Sequence, residues 1–157
     1  MLAYLFWHRP GAGVDRADYE EAQRRFHAAI GVPSACFRLE EMPFGRGGGG
    51  YEDWYLVDDW AALGKLNEAA VDAGRRPSHD AAAALVGVGW AGVYGLVRGE
   101  PMIPEGVRWL DKPLGEATDD FLAGQGEGPV WRREMVLGPT PEFCLGAEVE
   151  VSRLRVC

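Results

Sequence analysis

Three histidines, His8, His27 and His79, are the side chains of this sequence best suited to exchange a proton near neutral pH. His8 closes the aromatic run "LAYLFWH" and, on an alternating strand, shares a face with Tyr4 and Phe6. A histidine placed where a strand opens onto a loop can act as an acid, a base or an axial ligand. His8 is therefore the expected catalytic residue; the competing reading is a core-edge histidine bonded to a backbone carbonyl. His27 lies among arginines in a helix-patterned stretch and is expected at the surface. His79 follows Ser78 at a helix start, where a capping serine is explanation enough. No histidine pair has helical metal-ligand spacing, and none stands in a zinc-type cysteine or carboxylate pattern.

Substrate contacts are expected from Arg38, Trp54 and Tyr55. Arg38 falls mid-strand between Cys36 and Glu40, and if buried it requires an anion, from Glu40 or from a substrate. Trp54 and Tyr55, with Trp60 and Trp90, could line an aromatic pocket or simply fill a core. Other strings carry no chemistry. "GVGWAG", Gly87 to Gly92, has dinucleotide-type spacing but follows a helical pattern and enters a strand, the reverse of that motif. "GAGVDR" has Arg16 where a third glycine should stand, and "GRGGGG" lacks the lysine and hydroxyl of a phosphate loop. Ser34, Ser78 and Ser152 sit in no nucleophile elbow, and Glu40-Glu41 and Asp58-Asp59 do not face each other as a catalytic pair.

The elements that must position these residues can be read from periodicity. Residues 2–8 read as a strand buried on both faces. A helix follows, with Tyr19, Ala22, Phe26 and Ala29 or Ile30 on one stripe, Asp15 or Asp18 at its start and Gly31 at its end. "ACFRLEEM" and "EDWYLVD" read as strands, and a second helix runs from the Asp58-Asp59 cap to Gly74. A short helix is expected from Ser78, a strand at "WAGVYGLVRG", a helix from Pro113 to Ala123, and strands at "PVWRREMVLG" and "PEFCLGAEVEV". The glycine run at 45–50 is expected to be spare length at a hairpin tip, where added residues cost little.

The order repeats. "FRLEEMPFGRGGGGYEDWYLV" aligns loosely with "WRREMVLGPTPEFCLGA", and "AYLFWHRP" with "VYGLVRGEP". This predicts an α+β protein of two duplicated ferredoxin-like β-α-β-β halves with antiparallel sheets. The halves are 1–76 and 91–157, joined by a connector at 77–90 and packed as one domain. The pattern resembles the dimeric α/β-barrel superfamily, which includes antibiotic-biosynthesis-type monooxygenases, muconolactone isomerases and chlorite-dismutase-like haem proteins. The resemblance rests on element order. It implies cofactor-independent oxygenation or isomerisation of a small organic substrate in an aromatic pocket, with His8 as acid/base and Arg38 on an anion. It also leaves room for haem, for a homodimer, and for a non-catalytic interaction domain.

Composition bounds the rest. The 157 residues are 47% hydrophobic and 25% charged, which suits a soluble folded domain with a real core. Cys36, Cys144 and Cys157 form no paired framework, which fits a reduced, cytoplasmic protein. The opening "MLAYLFWHRP" has no basic leader, and no apolar run reaches membrane-spanning length. Neither a membrane nor a nucleic acid is an expected partner; a small-molecule ligand is. The net charge of −8 repels phosphate backbones, and the arginine pairs are scattered rather than arrayed in a stripe. Binding to DNA or RNA is expected to be absent at physiological salt. Tight, salt-sensitive retention in a filter or gel-shift assay would count against this reading.

Overall fold

The chain is described by a computed structural model that covers residues 1–44, 47–137, 141–146 and 153–157. The first strand, β1 (Leu2–Pro10), alternates Leu5 and Trp7 on one face with Tyr4, Phe6 and His8 on the other. Both faces are apolar or aromatic, so β1 is stable only inside a sheet that is covered twice. It lies between β3 (Gly50–Val57) and β4 (Val86–Arg98), antiparallel to each. Helix α1 (Arg16–Ile30) separates β1 from β2 (Ser34–Leu39). The Asp15 carboxylate accepts from the Ala17 and Asp18 amides at its start, and Gly31 ends it in the left-handed conformation at φ 80°. Helices α2 (Trp60–Ala70), capped by Asp59, and α3 (Arg76–Ala83) connect β3 to β4.

Beyond β4 come β5 (Val107–Leu110), α4 (Thr118–Ala123), β6 (Val130–Leu137), β7 (Phe143–Gly146) and β8 (Arg153–Arg155). The eight strands form one antiparallel sheet in the order β5-β7-β6-β4-β1-β3-β2-β8. In β1-α1-β2-β3 the third strand inserts between the first two, and in β5-α4-β6-β7 it does so again. The protein is α+β, as its sequence predicts, with four helices among the described residues. None of these helices is long and apolar enough to cross a membrane.

Several boundaries differ from expectation. α4 begins at Thr118 rather than Pro113, because Gly115 at φ +86° breaks any earlier turn. α2 stops at Ala70, short of Gly74. The connector at 77–90 contains most of α3 and the first five residues of β4, so "GVGWAG" lies wholly within a strand. Strand β5 was hidden in a segment whose only obvious pattern was helical, and the strand expected at "PEFCLGAEVEV" is Phe143–Gly146, its later residues lying outside those described. The described glycines divide: Gly47 and Gly48, at φ 61° and 84°, have open space around them at the hairpin tip, whereas Gly49 and Gly50 are tightly packed. A Cβ on Gly49 would collide with the Leu39 carbonyl, and one on Gly50 would meet the His8 carbonyl at 2.8 Å. Arg9 donates to the carbonyls of Gly47, Gly48 and Gly49, at 2.8, 3.2 and 3.0 Å. Close backbone approach requires the glycines at 49 and 50. Gly45 and Arg46 lie outside the described residues.

The sheet curls around the face that carries the odd-numbered residues of β1. Trp109 of β5 packs against Trp7 of β1 and Trp54 of β3, with ring centroids 5.2 and 6.3 Å apart. Trp131 of β6 meets Trp54 from the side at 6.0 Å. Strands far apart in sheet order thus share one aromatic core, which only a curled sheet allows. Within that core sits Glu52, fully buried. The indole N–H groups of Trp7 and Trp54 donate to its two oxygens at 2.8 and 2.7 Å. Arg153 of β8 stands 3.1 Å from Glu52 and stacks 3.5 Å above the Phe37 ring, with both charged side chains at 0% exposure. None of the guanidinium nitrogens makes an aligned hydrogen bond among the described residues. Charge and the aromatic face therefore hold Arg153, since Coulomb attraction tolerates misalignment that a hydrogen bond does not.

Removing one partner of such a buried pair strands the other. Glu52→Gln is expected to cost about 3 kcal/mol or more in urea unfolding. Combining it with Arg153→Met should recover much of the loss. A single variant as stable as wild type would show that the pair is not closed off from water.

Candidate functional site

The opposite face of the sheet is covered by α1, α2 and α3, and here β3 places a second buried carboxylate, Asp53, 2% exposed. Successive residues on a strand point to opposite faces, so Asp53 enters the helical layer because Glu52 enters the aromatic core. Strand register sets its neighbours: Phe6 of β1 and Cys36 of β2 lie directly across from it. His8 Nε2 is 3.1 Å from Asp53 Oδ2, and His27 Nε2, from α1, is 3.4 Å from Oδ1. The Tyr55 hydroxyl donates to Oδ2 at 3.1 Å and lies 3.3 Å from His27 Nε2. His8 Nδ1 meets the Tyr19 hydroxyl of α1. His8 Nε2 and Asp53 Oδ1 have no aligned hydrogen bond among the described residues, so the imidazole contacts act chiefly through charge.

The electrostatics follow from burial and from this grouping. Burial pushes Asp53 upward, but His8 and His27 together outweigh it and hold the carboxyl well below its usual range. For His27, burial favours the neutral ring, yet the adjacent Asp53 carboxylate overcomes that and raises its pKa. Burial, then Asp53, pushes the phenols of Tyr4, Tyr19 and Tyr55 upward, which keeps them protonated as donors. His8 thus bridges the Tyr19 hydroxyl at Nδ1 and the Asp53 carboxylate at Nε2.

Beside this cluster an apolar cavity of about 810 Å³ opens between the sheet and the helices. Tyr4, Phe6, Phe26, Ile30, Tyr55 and Leu66 form much of its wall, and Trp60, 48% exposed, stands at its rim. Its polar lining includes Gln23, Asp53, Asn67 and His79. A smaller hollow of about 340 Å³ lies between α1 and α3, lined by none of the residues of the Asp53 cluster.

The four expected site residues separate. Tyr55 lines the cavity. His8 is fully buried behind the cavity wall, its ring stacked on Phe6 at 5.0 Å. Arg38 donates to Glu20 of α1 at 2.9 Å, so the carboxylate it meets within the chain is Glu20 rather than Glu40. Tyr51 donates to the same Glu20 oxygen at 3.1 Å, and burial and then Glu20 push its phenol up to about 12. Trp54 lies in the aromatic core on the far face of the sheet. His27 is buried rather than at the surface, since α1 turns it inward one residue after Phe26. Asp53, Gln23 and the pairing of Cys36 with Cys157 escaped sequence reading altogether. The one available signal was an acidic pair, Glu52-Asp53, inside an otherwise aromatic strand.

Compared with known proteins, the chain matches no family model, no curated protein and no solved structure.

The charge cluster makes stability depend on pH in a defined direction. His27, raised above its ordinary 6.5, contributes fully below that value and loses its contribution as pH rises through its native pKa. Asp53, lowered below its ordinary 3.8, contributes above that value and loses its contribution as pH falls through its native pKa. Melting temperature should therefore hold between these limits and fall on both sides. In His27→Gln the alkaline fall should flatten while the acid fall remains; an unchanged alkaline limb would show that His27 is not paired with Asp53.

Proposed function

We propose that this protein binds a small, predominantly apolar organic molecule between its sheet and its helices. The observation that carries the reading is the open aromatic cavity with buried polar groups at its inner wall. Apolar walls with a few fixed polar groups are what small-molecule sites need: the walls supply affinity and the polar groups set orientation. Gln23 and Tyr55 are placed to orient a ligand, beside the Asp53 carboxylate.

Isomerisation or oxygenation, the activities implied by the resemblance to dimeric α/β barrels, would require proton transfer at this wall. That role falls to Tyr55 and Asp53, which line the cavity, with His8 and His27 behind them against the Asp53 carboxylate. The two inserted-strand units, β1-α1-β2-β3 and β5-α4-β6-β7, support reading the chain as two ferredoxin-like halves. Haem fits less well, since His8, the axial ligand considered first, is fully buried and does not line the cavity.

Leu63 of α2 lines the cavity and is only partly buried, so a larger side chain there should fill the space without breaking the core. N-phenyl-1-naphthylamine, a neutral apolar fluorophore, should bind wild-type protein with enhanced emission. Leu63→Trp should weaken that binding tenfold or more, about 1.4 kcal/mol, while the melting temperature changes little. Equal binding by a folded Leu63→Trp protein would place the fluorophore elsewhere and remove the cavity as its site.

A further inference from the structure

Behind the Asp53 cluster, two of the three cysteines come together. Cys36 of β2 and Cys157, just past β8, exchange backbone hydrogen bonds: the Cys36 amide donates to the Cys157 carbonyl at 3.1 Å, and the Cys157 amide to the Cys36 carbonyl at 3.3 Å. A mutual pair of this kind brings two Cα atoms to about 5.5 Å. Both cysteines are free thiols. One ring nitrogen of His27 and the two Sγ atoms all lie within 4.8 Å of one another. Nε2 of His27 is committed to Asp53 and Tyr55. Its Nδ1 is buried and has no hydrogen-bond partner among the described residues. An unpaired ring nitrogen beside two thiols, in a side chain 3% exposed, needs an occupant.

We propose that Cys36, Cys157 and Nδ1 of His27 form a three-ligand site for a thiophilic cation, zinc(II). The donor set suits that ion: two soft sulfurs and an imidazole, with one tetrahedral position left over. At a Zn–S distance of about 2.3 Å the sulfurs of a tetrahedral site stand roughly 3.8 Å apart, so only a small inward movement is needed. The neighbours are already arranged for it. Asp53 sits against the other nitrogen of His27, the carboxylate–imidazole–metal order that fixes the tautomer and strengthens the ring as a ligand. Each thiol that ligates loses its proton to solvent, as does Nδ1 of His27 where the ring is protonated, and no oxidant or reductant is involved. Cys157 is halfway prepared, since its contact with Cys36, and then His27, draws its thiol down to about 7 despite partial burial. Burial pushes Cys36 the other way, so its proton leaves only when the cation arrives. The site does not depend on the ligand cavity, which none of its three donors lines.

The test uses the full chain, purified under reductant, stripped with a chelator and titrated with zinc(II). One equivalent should bind and raise the melting temperature. Cobalt(II) in its place should give the intense near-ultraviolet absorption of thiolate-to-metal charge transfer. Cys157→Ser alters a half-buried residue and should fold; it should lose that band and bind zinc at least tenfold more weakly. Zinc should also slow alkylation of Cys157 by iodoacetamide in the wild type. Cys144 lies on the opposite face of the sheet, in the aromatic core, and cannot substitute. Substoichiometric zinc in the wild type, cobalt without a thiolate band, or undiminished binding by Cys157→Ser would each overturn the proposal.

Discussion

Two adjacent carboxylates on one central strand constrain this structure. Glu52 and Asp53 are consecutive on β3, every residue of which is buried, and each points to a different face of the sheet. An isolated buried carboxylate costs far more than any single contact returns, so both faces must bring cations and N–H or O–H donors to β3. On the curled face those are Arg153 and two indoles; on the helical face they are His8, His27 and Tyr55. These partners come from β1, β3, β8 and α1, so satisfying two residues ties together much of the fold.

The two solutions differ in kind. Glu52 is enclosed by tryptophans at 0% exposure and paired with Arg153, an arrangement suited to a structural role. Asp53 is enclosed on the sheet side but adjoins a cavity on the helix side. The helices leave that space because their small residues do not fill it: Gly64, Ala70, Ala82 and Ala83 all line it. A carboxylate held ionised by imidazoles, next to apolar space, is better placed for binding chemistry than for packing. The same histidine that holds Asp53 also reaches toward the paired cysteines, so one side chain of α1 joins the two clusters.

Edge strands complete the arrangement. β8 is only three residues long, yet it supplies Arg153 to the aromatic core, and Cys157 follows immediately on the helical side. Arg155 of the same strand pairs with Glu105, just before β5, so the first and last strands in sheet order approach each other. The curl and the edge pairing support one another: without the curl, Arg153 would have no aromatic enclosure, and without Arg153, Glu52 would lack its cation.

The sequence by itself determined the local elements. Alternation in "LAYLFWH", the Asp15 cap and the Gly31 stop are short-range signals, and each is present in the fold, whereas the buried stripe of α1 runs through Tyr19, Gln23, His27 and Ile30 and leaves Phe26 half-buried. It also placed Tyr4, Phe6 and His8 on one face, because strand alternation needs no partner to be read. Tertiary structure alone decided which face each strand gave to the helices. Trp54 and Tyr55 are equally aromatic in sequence, yet register sends one into the core and the other to the cavity. His27 looked exposed because its helical neighbours are arginines, and only the packing of α1 over β3 turns it onto Asp53. Arg38 found its anion in Glu20, and Cys36 its partner in Cys157, through contacts between elements distant in the chain. Such pairings are set by strand order and register, which depend on the summed burial of the whole sheet rather than on any local pattern.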